Sequence, residues 1–70
     1  MMPLTYAKIG CPQIIKKIGG NPEVRKHLGD LGFSIGGEIS IVSTLGGNLI
    51  IRVKESRVAV SDELARKIMV

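Results

Sequence analysis

The sequence LGDLGFSIGG, at residues 28–37, decides where this chain changes from helix to sheet. Apolar side chains spaced four and three residues apart, ending at Leu28 and Leu31, share one face of a helix. Gly32 follows directly and can adopt the left-handed conformation that ends a helix at little cost. Phe33 can then fold back onto Leu28, a contact typical of this helix ending. The stretch predicts a helix that stops here and gives way to β structure.

The predicted helix runs from Pro22 to Leu31. Asn21 is a good N-cap, proline suits the first helical position, and Glu23 places an acid in the first turn. Gly29 inside the helix costs about 1 kcal/mol relative to alanine. Packing against the rest of the chain must therefore hold this helix in place.

The remaining segments have strand patterns separated by tight turns. Gln13–Ile18 is the first strand, although Ile15 breaks its alternation, so either a bulge or burial on both faces is expected. Before it, residues 5–8 form a short strand or a single turn. Ser61 caps a short C-terminal helical turn. The other predicted strands are 38–44, 49–54, 57–60 and 69–70, with turns at 45–48 and 55–56.

Length and composition fit one small domain spanning residues 1–70, with 44% hydrophobic residues. Short strands, tight turns and one inserted helix predict a mainly β (α+β) fold, a small β-barrel of about five strands. Ten Lys and Arg against six Asp and Glu give a net charge of +4. That charge fits a nucleic-acid surface, an acidic protein partner or an ordinary solvated surface.

Cysteine content and hydropathy favour a cytoplasmic protein. Cys11 is alone, so no internal disulfide can form, which suits a reducing compartment. No secretory signal is visible, and no apolar run reaches the length of about eighteen residues that a membrane span needs. Any membrane association is expected to come through a partner.

Few side chains could carry chemistry. Cys11, His27 and Asp30 are the candidate metal ligands, but structural zinc takes four ligands and the chain has one Cys and one His. We therefore predict no metal site, no cofactor, no catalytic residues and no enzyme activity. Partner binding remains, with candidates at Arg25 and His27, at Ile35 in a glycine-flanked loop, and at Ile50 on an otherwise polar strand face. Nucleic acid is not expected, since only Tyr6 and Phe33 could stack on bases.

The order of these motifs resembles the FeoA family of ferrous iron transport proteins. Gly10 fits the glycine of the family's opening turn, Ile15 the apolar strand position after it, and 28–36 the family's L-x-E-L-G-L-x-P-G segment. Gly46-Gly47 fits the hairpin glycines. The family's R-I-A-L…A-x-x-I-x-V ending matches Arg57–Val60, Ala65, Ile68 and Val70. The chain departs from the family's usual residues at His27, Ile35, Asn48 and Glu55.

This resemblance implies an SH3-like β-barrel with an inserted helix. It also implies a small cytosolic accessory protein that docks on the cytoplasmic GTPase part of FeoB, the membrane ferrous transporter, and modulates uptake. The alternatives are a small-barrel nucleic-acid-binding module and a metal-responsive SH3-like regulatory domain. Similar domains end repressors of the DtxR type, but this chain has no helix-turn-helix. The oligomeric state stays open.

Overall fold

A computed structural model describes residues 1–70 and contains two antiparallel sheets and two α-helices. Four strands form the larger sheet in the order β1-β3-β4-β5, and β2 pairs with β6 in the smaller one. A 3-10 turn at Leu4–Tyr6 precedes them. The elements are β1 Gln13–Ile14, β2 Lys17–Ile18, α1 Pro22–Asp30, β3 Glu38–Leu45, β4 Asn48–Val53, β5 Ser56–Ser61, α2 Asp62–Ala65 and β6 Ile68–Met69.

Helix α1 begins at Pro22 as its sequence predicts and ends at Asp30, one residue before the predicted Leu31, which is its C-cap. The Asn21 side chain accepts a hydrogen bond from the Val24 N–H at 2.9 Å. At the other end Gly32 has φ +105°, and its N–H donates to the Gly29 carbonyl at 2.9 Å. The Phe33 N–H donates to the Leu28 carbonyl at 3.0 Å. These two bonds define the Schellman ending, in which a left-handed residue satisfies the last carbonyls of the helix.

The predicted single strand over Gln13–Ile18 is wrong, because the chain changes sheets within it. The Ile15 N–H donates to the Gly37 carbonyl at 2.9 Å, next to β3, whereas the Lys16 N–H donates to the Met69 carbonyl in β6 at 2.8 Å. Ile15 is buried and the preceding Ile14 is exposed. The crossing, rather than a bulge or burial on both faces, explains the broken alternation.

The remaining connections follow the predictions, with one shift. Residues 45–48 contain the β3–β4 turn, and Ser61 caps α2 by accepting a hydrogen bond from the Leu64 N–H at 3.2 Å. The β4–β5 turn lies at Lys54-Glu55, one residue before the predicted position. Lys54 there has φ +57°. The segment 5–8 contributes to a turn and adds no strand.

The core is aliphatic apart from Phe33. All 13 buried residues are hydrophobic and form one cluster to which both sheets and both α-helices contribute. Its largest fully buried side chains are Phe33, Leu4, Ile15, Leu28, Ile39, Ile51 and Ile68. The mainly β prediction with one inserted helix is confirmed. The strands number six instead of about five, in two sheets that do not close into one barrel.

Candidate functional site

The two apolar residues predicted to bind a partner lie at opposite ends of β3. Ile35 is 70% exposed in the loop just before this strand. Ile50 pairs with Ser43, five positions along β3 from Glu38, about 17 Å at the usual rise of a strand. Ile50 is also half-buried, where the alternation predicted exposure. The structure therefore does not bring the two side chains together in one patch.

The other predicted contact residues lie on α1. Arg25 and His27 are both exposed, and His27 is in the last turn of the helix. Helix α1 packs on the core through Leu28, whereas Ile50 alternates with the buried Leu49 and Ile51 and so faces away from that core. Their role as partner contacts stays a prediction.

The candidate metal ligands do not converge. Cys11 is exposed in the loop before β1, while His27 and Asp30 lie three positions apart on α1. Nowhere in the chain do three or more His, Cys, Asp or Glu side chains form a group that could hold an ion. The helical pair alone supplies two donors, fewer than the three protein ligands of even an open zinc site.

The larger sheet has a buried face and a solvent-facing one. Ile39, Ile51 and Val53 point into the core, so the alternating residues Ser40 and Arg52 point outward. Ser40 pairs with Arg52, and Arg52 pairs in turn with Arg57. The next outward row is Ser43, Ile50 and Ala59. We call this surface the outer sheet face: Ser40, Ser43, Ile50, Arg52, Arg57 and Ala59.

No carboxylate forms an ion pair with Arg52 or Arg57, although Glu38, two positions before Ser40, lies on the same side of β3. The one ion pair in the protein joins Arg66 and Asp62 on α2 at 2.6 Å. Arg52 and Arg57 are both exposed and directly opposite each other. Their juxtaposition depends on the length of the β4–β5 turn, which sets the register. The alternation of apolar and polar residues in β4 predicts that Arg52 faces solvent, but it gives no sign that another arginine lies opposite.

An open cavity of about 290 Å³ adjoins this face, between the loop at residues 32–37 and the β3–β4 pair. Its polar side chains are Ser34, Glu38, Ser40, Arg52 and Lys54. Hydroxyl groups, two cations and one carboxylate can hold a polar or charged group by hydrogen bonds.

The helices of the protein are short. None is both long and apolar enough to cross a membrane.

Comparison with known proteins gives a consistent result. The family model "FeoA domain" matches residues 2–70. A curated protein of Methanocaldococcus jannaschii, named "Putative Fe(2+) transport protein A", is 37% identical over 70 residues, covering 100% of this chain and 85% of the relative.

Solved structures show the same likeness. The crystal structure of an iron uptake regulatory protein (FeoA) superposes with a TM-score of 0.87 at 28% identity, covering 96% of this chain and 89% of that one. A zinc-complexed FeoA of Stenotrophomonas maltophilia, described as an SH3 domain protein, gives a TM-score of 0.84 at 21% identity, covering 99% and 88%. The latter establishes the fold alone, and with it the predicted SH3-like class.

Proposed function

The chain belongs to the FeoA domain family, and from that premise we propose that it is a non-enzymatic accessory protein of ferrous iron transport. It docks on the cytoplasmic GTPase part of a FeoB-type transporter and modulates uptake of the iron, which is the transporter's cargo. It works in the cytoplasm and meets the membrane through this partner. The observation that carries the proposal is the family match over residues 2–70.

The surface of the protein supports a docking role. Several large apolar side chains are exposed to solvent, among them Ile35 at 70% and Leu45 at 71% exposure. Ile35 sits in a loop anchored on both sides, since the Gly36 N–H donates to the Ile15 carbonyl and the Gly37 N–H to the Ser34 carbonyl. An exposed apolar residue on a fixed loop loses little conformational freedom on binding. We propose Ile35 as a partner contact, with Arg25, His27 and Ile50 as further candidates.

Calorimetry of the chain with the soluble GTPase domain of the FeoB-type transporter from the same organism tests the proposal. We expect saturable binding at or below tens of micromolar and a change in GTP hydrolysis when the complex forms. Ile35→Glu is expected to weaken binding about tenfold, because it brings a charge into an apolar contact. Leu45→Glu is the matched control, since it makes a similar change at equal exposure on a distant hairpin.

The outcomes separate the claims. If the unmodified chain shows no binding at 100-fold higher concentrations, the docking function is refuted. If it binds and the two variants behave alike, the docking function stands and the role of Ile35 is refuted. Steeply salt-dependent binding of duplex DNA with no affinity for the GTPase domain would favour the nucleic-acid alternative.

A further inference from the structure

One edge of strand β5 pairs with no other strand. The strand lies at the end of the sheet order β1-β3-β4-β5, so only β4 pairs with it. None of the backbone hydrogen bonds that link turns, loops and separate elements involves residues 56–60. Ser56, Arg57 and Ala59 are exposed. Such an edge offers unpaired N–H and C=O groups to an added strand.

The register identifies which backbone groups are free. Val53 and Ser56 flank a two-residue turn, and in such hairpins the flanking residues exchange both hydrogen bonds. Bonded and non-bonded pairs then alternate along the strands. The Asp62 N–H donates to the Gly47 carbonyl at 3.1 Å, in phase with this pattern. Arg57 and Ala59 therefore point their N–H and C=O groups away from β4.

Side chains next to this edge specify what would bind. On the outer sheet face, Arg57 lies opposite Arg52, and directly opposed like charges are destabilising until an anion joins them. Two positions along β5, Ala59 lies opposite the half-buried Ile50. Val58, on the inner side of the same strand, is also only half-buried. The edge thus combines a cationic position with apolar surface on both faces.

We propose that an extended acidic segment of a protein partner adds to β5 as a further strand. A glutamate or aspartate lies beside Arg57, and an apolar residue two positions away lies beside Ala59. Main-chain hydrogen bonds supply affinity and the alternating side chains supply specificity, as in other strand-addition complexes. The identification of this partner with the transporter rests on the proposed function, but the chemistry of the edge does not.

Other occupants fit the edge less well. If a second copy paired through β5, it would place another Arg57 at the edge and no acidic side chain, because the strand sequence is SRVAVS. The positive charges would then remain without a counter-charge. Duplex nucleic acid would contact the arginines but could not use the free main-chain groups. The outer sheet face also contains no aromatic side chain for stacking on a base.

A blocked peptide of sequence Thr-Glu-Thr-Val-Thr, which carries glutamate and valine two positions apart on one face of a strand, tests the proposal against ¹⁵N-labelled protein. We expect chemical shift changes along 56–61 and slowed hydrogen exchange at the amides of Arg57 and Ala59. The amide of Val58 already bonds to β4, so its exchange should change less. The same peptide with lysine in place of glutamate should bind at least about tenfold more weakly, because it opposes the arginines.

Two variants separate main-chain pairing from charge. Ala59→Pro removes an outward N–H and is compatible with an edge strand, so it should keep the fold and abolish peptide binding. Arg57→Glu should weaken binding about tenfold, an effect that high salt reduces. Lys26→Glu, on the exposed side of α1, changes the net charge equally and should leave binding unchanged.

Each result decides between the claims. Peptide binding without protection of the Arg57 and Ala59 amides, or binding that survives Ala59→Pro in a folded variant, overturns the strand-addition proposal. If these amides become protected without peptide, and more so at higher protein concentration, the edge pairs with a second copy of the chain. That result also overturns the strand-addition proposal. If the peptide binds at β5 while the transporter's GTPase domain does not bind the chain, the proposed function fails and the edge site stands.

Discussion

One side chain sits in a backbone conformation that its type disfavours. Lys54 has φ +57° and is the only non-glycine residue with a positive φ. A side chain in this left-handed region costs about 1–2 kcal/mol, because its Cβ approaches the following carbonyl oxygen. The two-residue turn between β4 and β5 requires the conformation, so the cost is local and removable.

Lys54→Gly should stabilise the protein. Glycine removes the steric cost but loses more entropy on folding, by about 0.5–1 kcal/mol, so we expect a net gain of about 0.5 kcal/mol. For a domain of this size that gain raises Tm by about 2–4 °C. Thermal unfolding followed by circular dichroism measures it. A lower Tm for Lys54→Gly would show that the lysine side chain makes a stabilising contact outweighing its strain.

At the scale of the element, two glycines, one inside helix α1 and one just after it, have opposite requirements. Gly29 lies inside the helix, and a Cβ built on it meets no atom within 4 Å. Gly32 lies just beyond the end with φ +105°, and its Cβ would approach Val53 Cγ2 at 3.4 Å. Glycine at position 29 therefore lowers the helix propensity without a structural need. Glycine at position 32 supplies the conformation that ends the helix and directs Phe33 into the core.

The pair of variants Gly29→Ala and Gly32→Ala tests this division. Gly29→Ala should raise the free energy of unfolding by about 1 kcal/mol, the propensity difference. Gly32→Ala should lower it by about 1–2 kcal/mol, because alanine must enter the left-handed region. Urea denaturation of both variants measures the two signs. Equal effects would mean that the helix ending does not depend on the backbone freedom of residue 32.

At the scale of the whole molecule, one aromatic side chain joins the elements. Phe33 is 1% exposed and belongs to the cluster that both sheets and both α-helices share. A chain of 70 residues buries a smaller fraction of its surface than a larger domain does. Its total stability is therefore only about 4–10 kcal/mol.

Phe33→Ala should remove about 3–5 kcal/mol, the range for deleting a buried phenylalanine. This loss is a large part of the total, so the variant should unfold at a clearly lower temperature and urea concentration. Tyr6→Ala is the control, since the other aromatic residue of the chain is 77% exposed and its loss should change stability by under about 0.5 kcal/mol. Circular dichroism and urea denaturation compare them; a Phe33→Ala variant as stable as Tyr6→Ala would refute the central role of Phe33.

The sequence by itself determined the features that act over a few residues. Asn21, Gly32 and Ser61 marked the caps because capping joins groups no more than about five positions apart. Alternation of apolar and polar residues in β3 and β4 indicates their buried faces, because it too is a pattern within a few neighbouring residues. The ordered motifs also pointed to the family that the comparisons then showed.

Only the tertiary structure decided features that depend on distant segments meeting. The chain crosses between sheets at Ile15 because the carbonyls of Gly37 and Met69 accept hydrogen bonds from neighbouring amides. The local sequence pattern does not indicate either of these distant partners. The separation of Ile35 from Ile50, the opposition of Arg52 and Arg57, and the free edge of β5 follow from strand order and register. Long-range pairing fixes these, since a shift of one residue would turn every side chain to the other face.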